Sequence, residues 1–477
     1  MSPAPDHVVP DFRAVTVEEL ARRIRHRELT ATGVTEAAIA RIEAINPTLN
    51  AFVAIDADDA RAQAARIDER LDAGDDAGPL AGIPLGVKDL QDVAGFPTTR
   101  GAPHLRDAAP AVEDATEVAR LRAAGCVVVG KTNTPENGWT ADTFNPVFGA
   151  TVSPWDTTRS PGGSSGGTSA AIAGGMVPLG TGSDGGGSIR IPSAVTGMSG
   201  LKPSQGRVPS GPAPMGAADL STVGPMARRI RDVALALDAV VGPSPGDLRS
   251  LDHPGRSWRA ALDDPRPPAR VLWVPSLEGF GPDAEIGRCC ADAVERLANA
   301  GVDVVDSGPV LDDVVSSFML LFYGAMVPGY RALMGTPAWD DVTPGLAAVI
   351  EGAAARLTPD SVESARIQAQ THSMRLAEAM AGYDVMITPA TAGQTPVSQR
   401  DGTVDGEETP AWVGTTYQLN VTRRPAGTTC AGFTSDGMPV GLQIVGQQLA
   451  DQRVLEVTAW IEDLLGIDPV APDLVAA

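Results

Sequence analysis

A chain of 477 residues, 43% hydrophobic and 20% charged, carries enough apolar side chain for a substantial buried core. Its formal charge of −22, from 59 acidic against 37 basic residues, argues against a nucleic-acid or anionic-membrane partner, because both need a positive footprint. There is no long uncharged apolar run, no basic leader in MSPAPDHVVPDF, and no metal-ligand spacing among the four cysteines or five histidines. The expectation is a cytoplasmic protein with no membrane span, metal or cofactor. In chain order, residues 14–30 read as a capped helix, with Thr16 ahead of Glu18 and Glu19 and an apolar face of Val17, Leu20, Ile24 and Leu29. Helices over about 33–45 and 56–73 complete an N-terminal helical layer, 1–75. Residues 82–87, GIPLGV, read as a short buried strand ending at Lys88. A helix over 116–125 leads to a central strand at Val127–Val129, since a continuous apolar run suits a sheet covered on both faces. Residues 159–167 read as a Gly/Ser loop entering a helix at 168–175, residues 176–184 as extended, and GGGS at 185–188 as a tight turn. After a helix near 228–240 and a Pro/Gly/Asp-rich surface connection over 243–269, strands are expected at 270–276, 302–305, 383–391 and 437–446. Helices fill 291–301, most of 316–384, and 451–465. This alternation argues for one large α/β unit, 76–477, continuous with the helical layer.

The chain has only three lysines, Lys88, Lys131 and Lys202, and nearly every other basic position is arginine. Arginine cannot act as a neutral base, so a position that must deprotonate cannot follow that drift. Lys88 follows an apolar strand, where desolvation would lower its pKa and free the amine as a base. Alone, it also reads as an ordinary lysine paired with an acid.

Ser188 follows Gly185, Gly186 and Gly187. A serine hydroxyl needs a base within reach to become a nucleophile. Glycines let the backbone close around a reacting carbonyl, so that the N–H groups of residues 185–188 point at one oxygen. One such oxyanion donor is worth roughly 3 kcal/mol in the transition state. By itself GGGS reads first as a flexible turn before a strand. Ser164 and Ser165 sit between Gly162-Gly163 and Gly166-Gly167 in a loop that lacks the GK[ST] ending of a P-loop.

Together, GIPLGVKD, GGSSGG followed by SAAIAGG, GSDGGGSIRIPS and GLKPSQGRVP closely resemble the amidase-signature family over almost the whole length. Ser188 lies 24 residues beyond Ser164, the family's usual separation of its two serines. The resemblance implies one large α/β fold with a central mixed twisted sheet covered by helices on both faces. It implies a Ser–cis-Ser–Lys triad. Ser188 attacks the carbonyl, Ser164 relays the proton and neutral Lys88 accepts it. The N–H groups of Gly185, Gly186, Gly187 and Ser188 hold the oxyanion. Asp184, Arg190 and Ser165 support the site, and Asp184 is expected to occupy its charge with backbone N–H groups or Arg190. The segment containing Glu136 approaches the pocket in the family. Asn137 stands where the family usually has Phe, with Trp139 close by. The variable regions 316–345 and 390–417 offer Phe318, Leu321, Phe322, Tyr323, Met326, Tyr330, Trp339, Trp412 and Tyr417 as pocket candidates.

The pattern resembles broad-range amidases, aryl-acylamidases and oligoamide hydrolases. The implied activity is hydrolysis of aryl or otherwise hydrophobic amides, with carbamates (urethanes) and esters chemically reachable, by a monomer or homodimer acting on a small molecule. The alternative is the glutamine-dependent amidotransferase of the tRNA amidation complex, whose amidase component commonly has Thr where this chain has Gly185.

Overall fold

The computed structural model describes residues 9–212, 219–279 and 281–475. The start of the chain, residues 1–8, read above as carrying no leader, lies outside them.

Local signals explain the first elements. Thr16 caps helix Val17–Arg25 by accepting the Glu19 N–H at 3.1 Å, and Val17, Leu20, Ala21 and Ile24 are buried at helical spacing. The expected 14–30 helix stops at Arg25 because Thr30 caps a second helix, Ala31–Leu49. The N-terminal layer is not wholly helical. Phe52–Ile55 is a strand, paired antiparallel with Val127–Thr132, which stitches this layer to the sheet.

The main sheet has eleven strands. Their spatial order is 52–55, 127–132, 84–88, 179–184, 222–227, 199–202, 426–433, 439–445, 385–389, 270–273 and 303–306. Pro84–Lys88 runs parallel to both neighbours, while the middle of the sheet is antiparallel, so the sheet is mixed. Helices cover both faces, as the period of two shows. Val271, Trp273, Val385 and Ile387 pack in one cluster with helix Ala284–Asn299, whereas Leu272 and Met386 pack in another with Val314 and Phe322 of helix Val314–Tyr330.

The Gly/Ser loop is shorter than its composition implies, because Gly166 and Gly167 open helix Gly166–Ala173. Packing, not turn geometry, demands glycine there. A Cβ on Gly166 would lie 2.2 Å from Thr143 Oγ1, and one on Gly167 would lie 2.2 Å from the Asn133 nitrogen.

No helix among the described residues is long and apolar enough to cross a membrane.

Candidate active site

All three lysines are buried, with Lys88 and Lys131 0% exposed and Lys202 1%. Their buried partners differ. Lys131 pairs with Asp89 at 3.0 Å, and Lys202 donates to the Pro203 carbonyl at 3.1 Å. Lys88 has no acid partner among the described residues. It is the last residue of strand Pro84–Lys88, and its Nζ meets three hydroxyls: Ser164 at 2.7 Å, Ser165 at 2.9 Å and Ser183 at 3.0 Å. Burial drives its pKa well below that of an ordinary lysine, and the more distant Asp184 charge opposes this only in part. A neutral amine has two N–H donors and one lone pair. Three hydroxyl contacts therefore suit it when it donates twice and accepts once.

Ser164 follows Gly163 through a cis peptide bond, and its side chain is almost fully buried. Ser183 and Asp184 end strand Leu179–Asp184, parallel to Pro84–Lys88, so the site lies at the carboxyl ends of parallel strands. Sequence reasoning does not single out Ser183. Its contact with Lys88 arises from strand pairing, although its place beside Asp184 in GSDGGGS is an available signal.

Asp184 is buried and holds the following turn in shape. Its Oδ1 accepts from Gly187 N at 2.8 Å and its Oδ2 from Ile189 N at 3.2 Å. Arg190 closes a two-pronged pair on it, at 2.9 Å from Nε and 2.8 Å from Nη2, and Asn420 adds a bond at 2.9 Å. Burial raises the Asp184 pKa, but the Arg190 charge and these bonds outweigh it and hold the carboxyl well below the usual range. The Gly187 N–H is therefore occupied, which corrects its expected oxyanion role. The N–H groups of Gly185, Gly186 and Ser188 have no acceptor among the described residues. The glycines also make room for helix Val314–Tyr330. A Cβ on Gly185 would meet Phe322 at 2.5 Å, and one on Gly186 would meet Phe318 at 2.8 Å.

A cavity of about 450 Å³ opens onto this cluster. Ser164, Ser183, Gly185 and Ser188 line it, with Phe322, Met326 and Tyr330 from the helix and Asn137 from the opposite segment. Glu136 lies behind that wall. Its carboxylate accepts from the Tyr330 hydroxyl at 3.0 Å, the Thr343 nitrogen at 2.9 Å and the Thr343 hydroxyl at 2.8 Å. Asn137 donates to the same tyrosine oxygen.

The other pocket candidates lie elsewhere. Trp139 sits against Gly345, and its carbonyl accepts from Tyr323 at 3.0 Å. Trp412 packs with Ile191 and Val195, while Tyr417 donates to Glu278 at 2.7 Å and leans on Phe318. Each finds apolar cover away from the cavity. Arg100, His104, Gln91 and Glu117 line it instead.

Residues 33–455 match the family described as Amidase. An acylamidase from Rhodococcus erythropolis is 36% identical, covering 94% of this chain and 95% of its own. A glutamyl-tRNA(Gln) amidotransferase subunit from Acidothermus cellulolyticus is also 36% identical, covering 94% of each. Among solved structures, a bacterial aryl acylamidase superposes with a TM-score of 0.88 at 27% identity, covering 96% of this chain and 99% of that one. A 6-aminohexanoate cyclic dimer hydrolase superposes with a TM-score of 0.86 at 29% identity, covering 98% and 100%. With a family match over most of its length and the mixed sheet that places these serines beside a buried lysine, the chain belongs to the amidase-signature family of serine hydrolases that cleave amide bonds.

Proposed function

We propose that this enzyme acts on its own to hydrolyse carboxylic amides with an aryl or otherwise hydrophobic part, through a Ser188–Ser164–Lys88 relay. The observation that carries this reading is the desolvated Lys88 amine, 2.7 Å from the Ser164 hydroxyl beside the cavity that Ser188 lines. Ser188 attacks the carbonyl, and its proton passes through Ser164 to Lys88. The N–H groups of Gly185, Gly186 and Ser188 receive the developing oxyanion. The proton returns to the departing amine, and water then cleaves the acyl-enzyme by the same relay in reverse. Asp184 and Arg190 fix the turn, and Ser165 and Ser183 orient the amine.

Phe322, Met326 and Tyr330 supply an apolar wall that fits an aryl or alkyl group. Aryl carbamates present a similar carbonyl, and esters follow because the oxyanion donors are indifferent to the leaving atom. The acylamidase and aryl acylamidase relatives support this reading. The amidotransferase relatives keep the partner-dependent alternative in play.

The test is a chromogenic panel with purified protein alone: short- and long-acyl p-nitroanilides, an aryl carbamate, the matching ester, and glutamine. Turnover of an anilide or the carbamate that disappears in Ser188→Ala supports the reading. Turnover of glutamine alone supports the amidotransferase instead.

A further inference from the structure

Arg100 stands out on the cavity wall. Its guanidinium has no hydrogen bond and no ion pair among the described residues, although it lines the cavity. The undescribed segment 213–218, APMGAA, has no acidic side chain to offer. In a chain with 22 excess negative charges, Arg22, Arg61, Arg190, Arg231 and Arg259 each hold a carboxylate.

The backbone presents Arg100 in an unusual way. Its φ is 54°, a left-handed conformation uncommon for a long side chain. The turn is pinned beside the reacting groups. The Arg100 carbonyl accepts from Asn137 N at 2.8 Å, and the next residue, Gly138, is so close to Ser164 that a Cβ there would lie 3.1 Å from its Oγ.

The acids on the same wall do not answer this charge. Burial pushes Glu117 up to about 8, which leaves it largely uncharged at neutral pH. Asp92, the other acid on this wall, makes no ion pair with Arg100 among the described residues, although both act on Lys131. His104 is depressed by burial, with Glu136 favouring and Arg100 opposing its charged form.

We propose that Arg100 is a specificity-determining residue, its guanidinium receiving a carboxylate that the substrate carries away from the scissile carbonyl. The inference rests on the hydrolase reading above and narrows the substrate class to carboxylate-bearing amides. A guanidinium matches a carboxylate with two parallel N–H bonds, which a lysine ammonium cannot reproduce.

The test measures binding, so it does not depend on turnover. Ser188→Ala protein, with and without Arg100→Gln or Arg100→Lys, is titrated calorimetrically with three probes: neutral hexanoic anilide, glutaric monoanilide with its carboxylate on the acyl side, and 4-(hexanoylamino)benzoate with its carboxylate on the amine side. One carboxylate probe should bind at least about tenfold tighter than the neutral one, in line with a charge-assisted pair. In Arg100→Gln that ratio should collapse towards one, and Arg100→Lys should restore only part of it. The side preferred assigns the carboxylate to the acyl or the amine half. Equal binding of all three probes, or a preference that survives Arg100→Gln, overturns the proposal. Residual turnover in Ser188→Ala would instead count against the nucleophile assignment, and the probe ratio would then be read from KM.

Discussion

Lys88 Nζ lies 2.7 Å from Ser164 Oγ with both side chains shut away from solvent, and no carboxylate among the described residues pairs with the lysine. A buried lysine beside an acid would be held charged. Here three hydroxyls accommodate the neutral form. Lys88→Met should lower kcat/KM by about 10²–10⁴-fold, the usual range for general acid–base catalysis, with Lys88→Arg no better because arginine keeps its proton. In the proposed relay the working form is the unprotonated amine, so with a depressed pKa kcat/KM should fall on the acid side and stay flat as pH rises towards the ordinary lysine value. A pH–rate profile of the wild type checks this. Activity climbing only near the pKa of a free lysine would show that burial does not hold the amine neutral.

Asp184 and Arg190 form the other buried pair, and removing one partner strands the other. Asp184→Asn should destabilise the protein by about 3–5 kcal/mol, because Arg190 would be left as a buried unmatched charge. Urea denaturation reads the loss. The sign with pH follows from the depressed carboxyl. Its contribution is complete above the pKa of a free aspartate and disappears as pH drops through the lower folded-state value. The variant should therefore differ most from wild type at neutral pH and converge with it in strong acid.

Legibility in the sequence tracks how local each feature is. Lys88, Ser164 and Ser188 can be singled out because each sits in a run of neighbours whose types announce a buried strand end or a close backbone approach. Buried runs such as Val127–Val129 mark the sheet for the same reason. Strands Ser199–Lys202, Thr222–Ala227 and Ala426–Phe433 escape a reading of the sequence. They are rich in Gly, Ser and Thr, and only their partners across the sheet hold them extended. Ser183 and Arg100 reach the site through pairing and turn geometry that no spacing encodes. Trp412 and Tyr417 show the converse, since an aromatic ring accepts any apolar neighbour and its type does not say which wall it joins.

The Tyr330 hydroxyl bridges helix Val314–Tyr330 to the Glu136–Gly138 wall beside Ser164. Tyr330→Phe leaves Glu136 Oε1, fully buried, without that donor. The expected cost is about 1–3 kcal/mol, the penalty for an unsatisfied buried polar group. Glu136→Gln keeps one acceptor oxygen where the carboxylate serves three donors, so its amide nitrogen must face either the tyrosine hydroxyl or the Thr343 N–H, and it should cost at least as much. Thermal unfolding of the two variants compares them, and a smaller loss in Glu136→Gln than in Tyr330→Phe would show that the Thr343 bonds contribute little.

Gly187 combines two demands that no side chain meets. Its φ is 129°, and a Cβ would lie 2.4 Å from Thr416 Oγ1. Thr416 is held in place by its bond to the Gly186 carbonyl at 2.7 Å, and its own carbonyl accepts from Arg190 at 2.9 Å. Gly187→Ala must therefore move the turn rather than its neighbour. That shift disturbs the N–H groups of Gly185, Gly186 and Ser188, and in the proposed oxyanion role losing even one such donor costs roughly 10²–10³-fold in kcat. A fall of at least that size is expected for Gly187→Ala, with KM changed much less, because donors in that proposed role act on the transition state and not on the bound amide. Steady-state kinetics on an anilide decides it. A variant that loses affinity but keeps kcat would place the turn in substrate binding instead of oxyanion stabilisation.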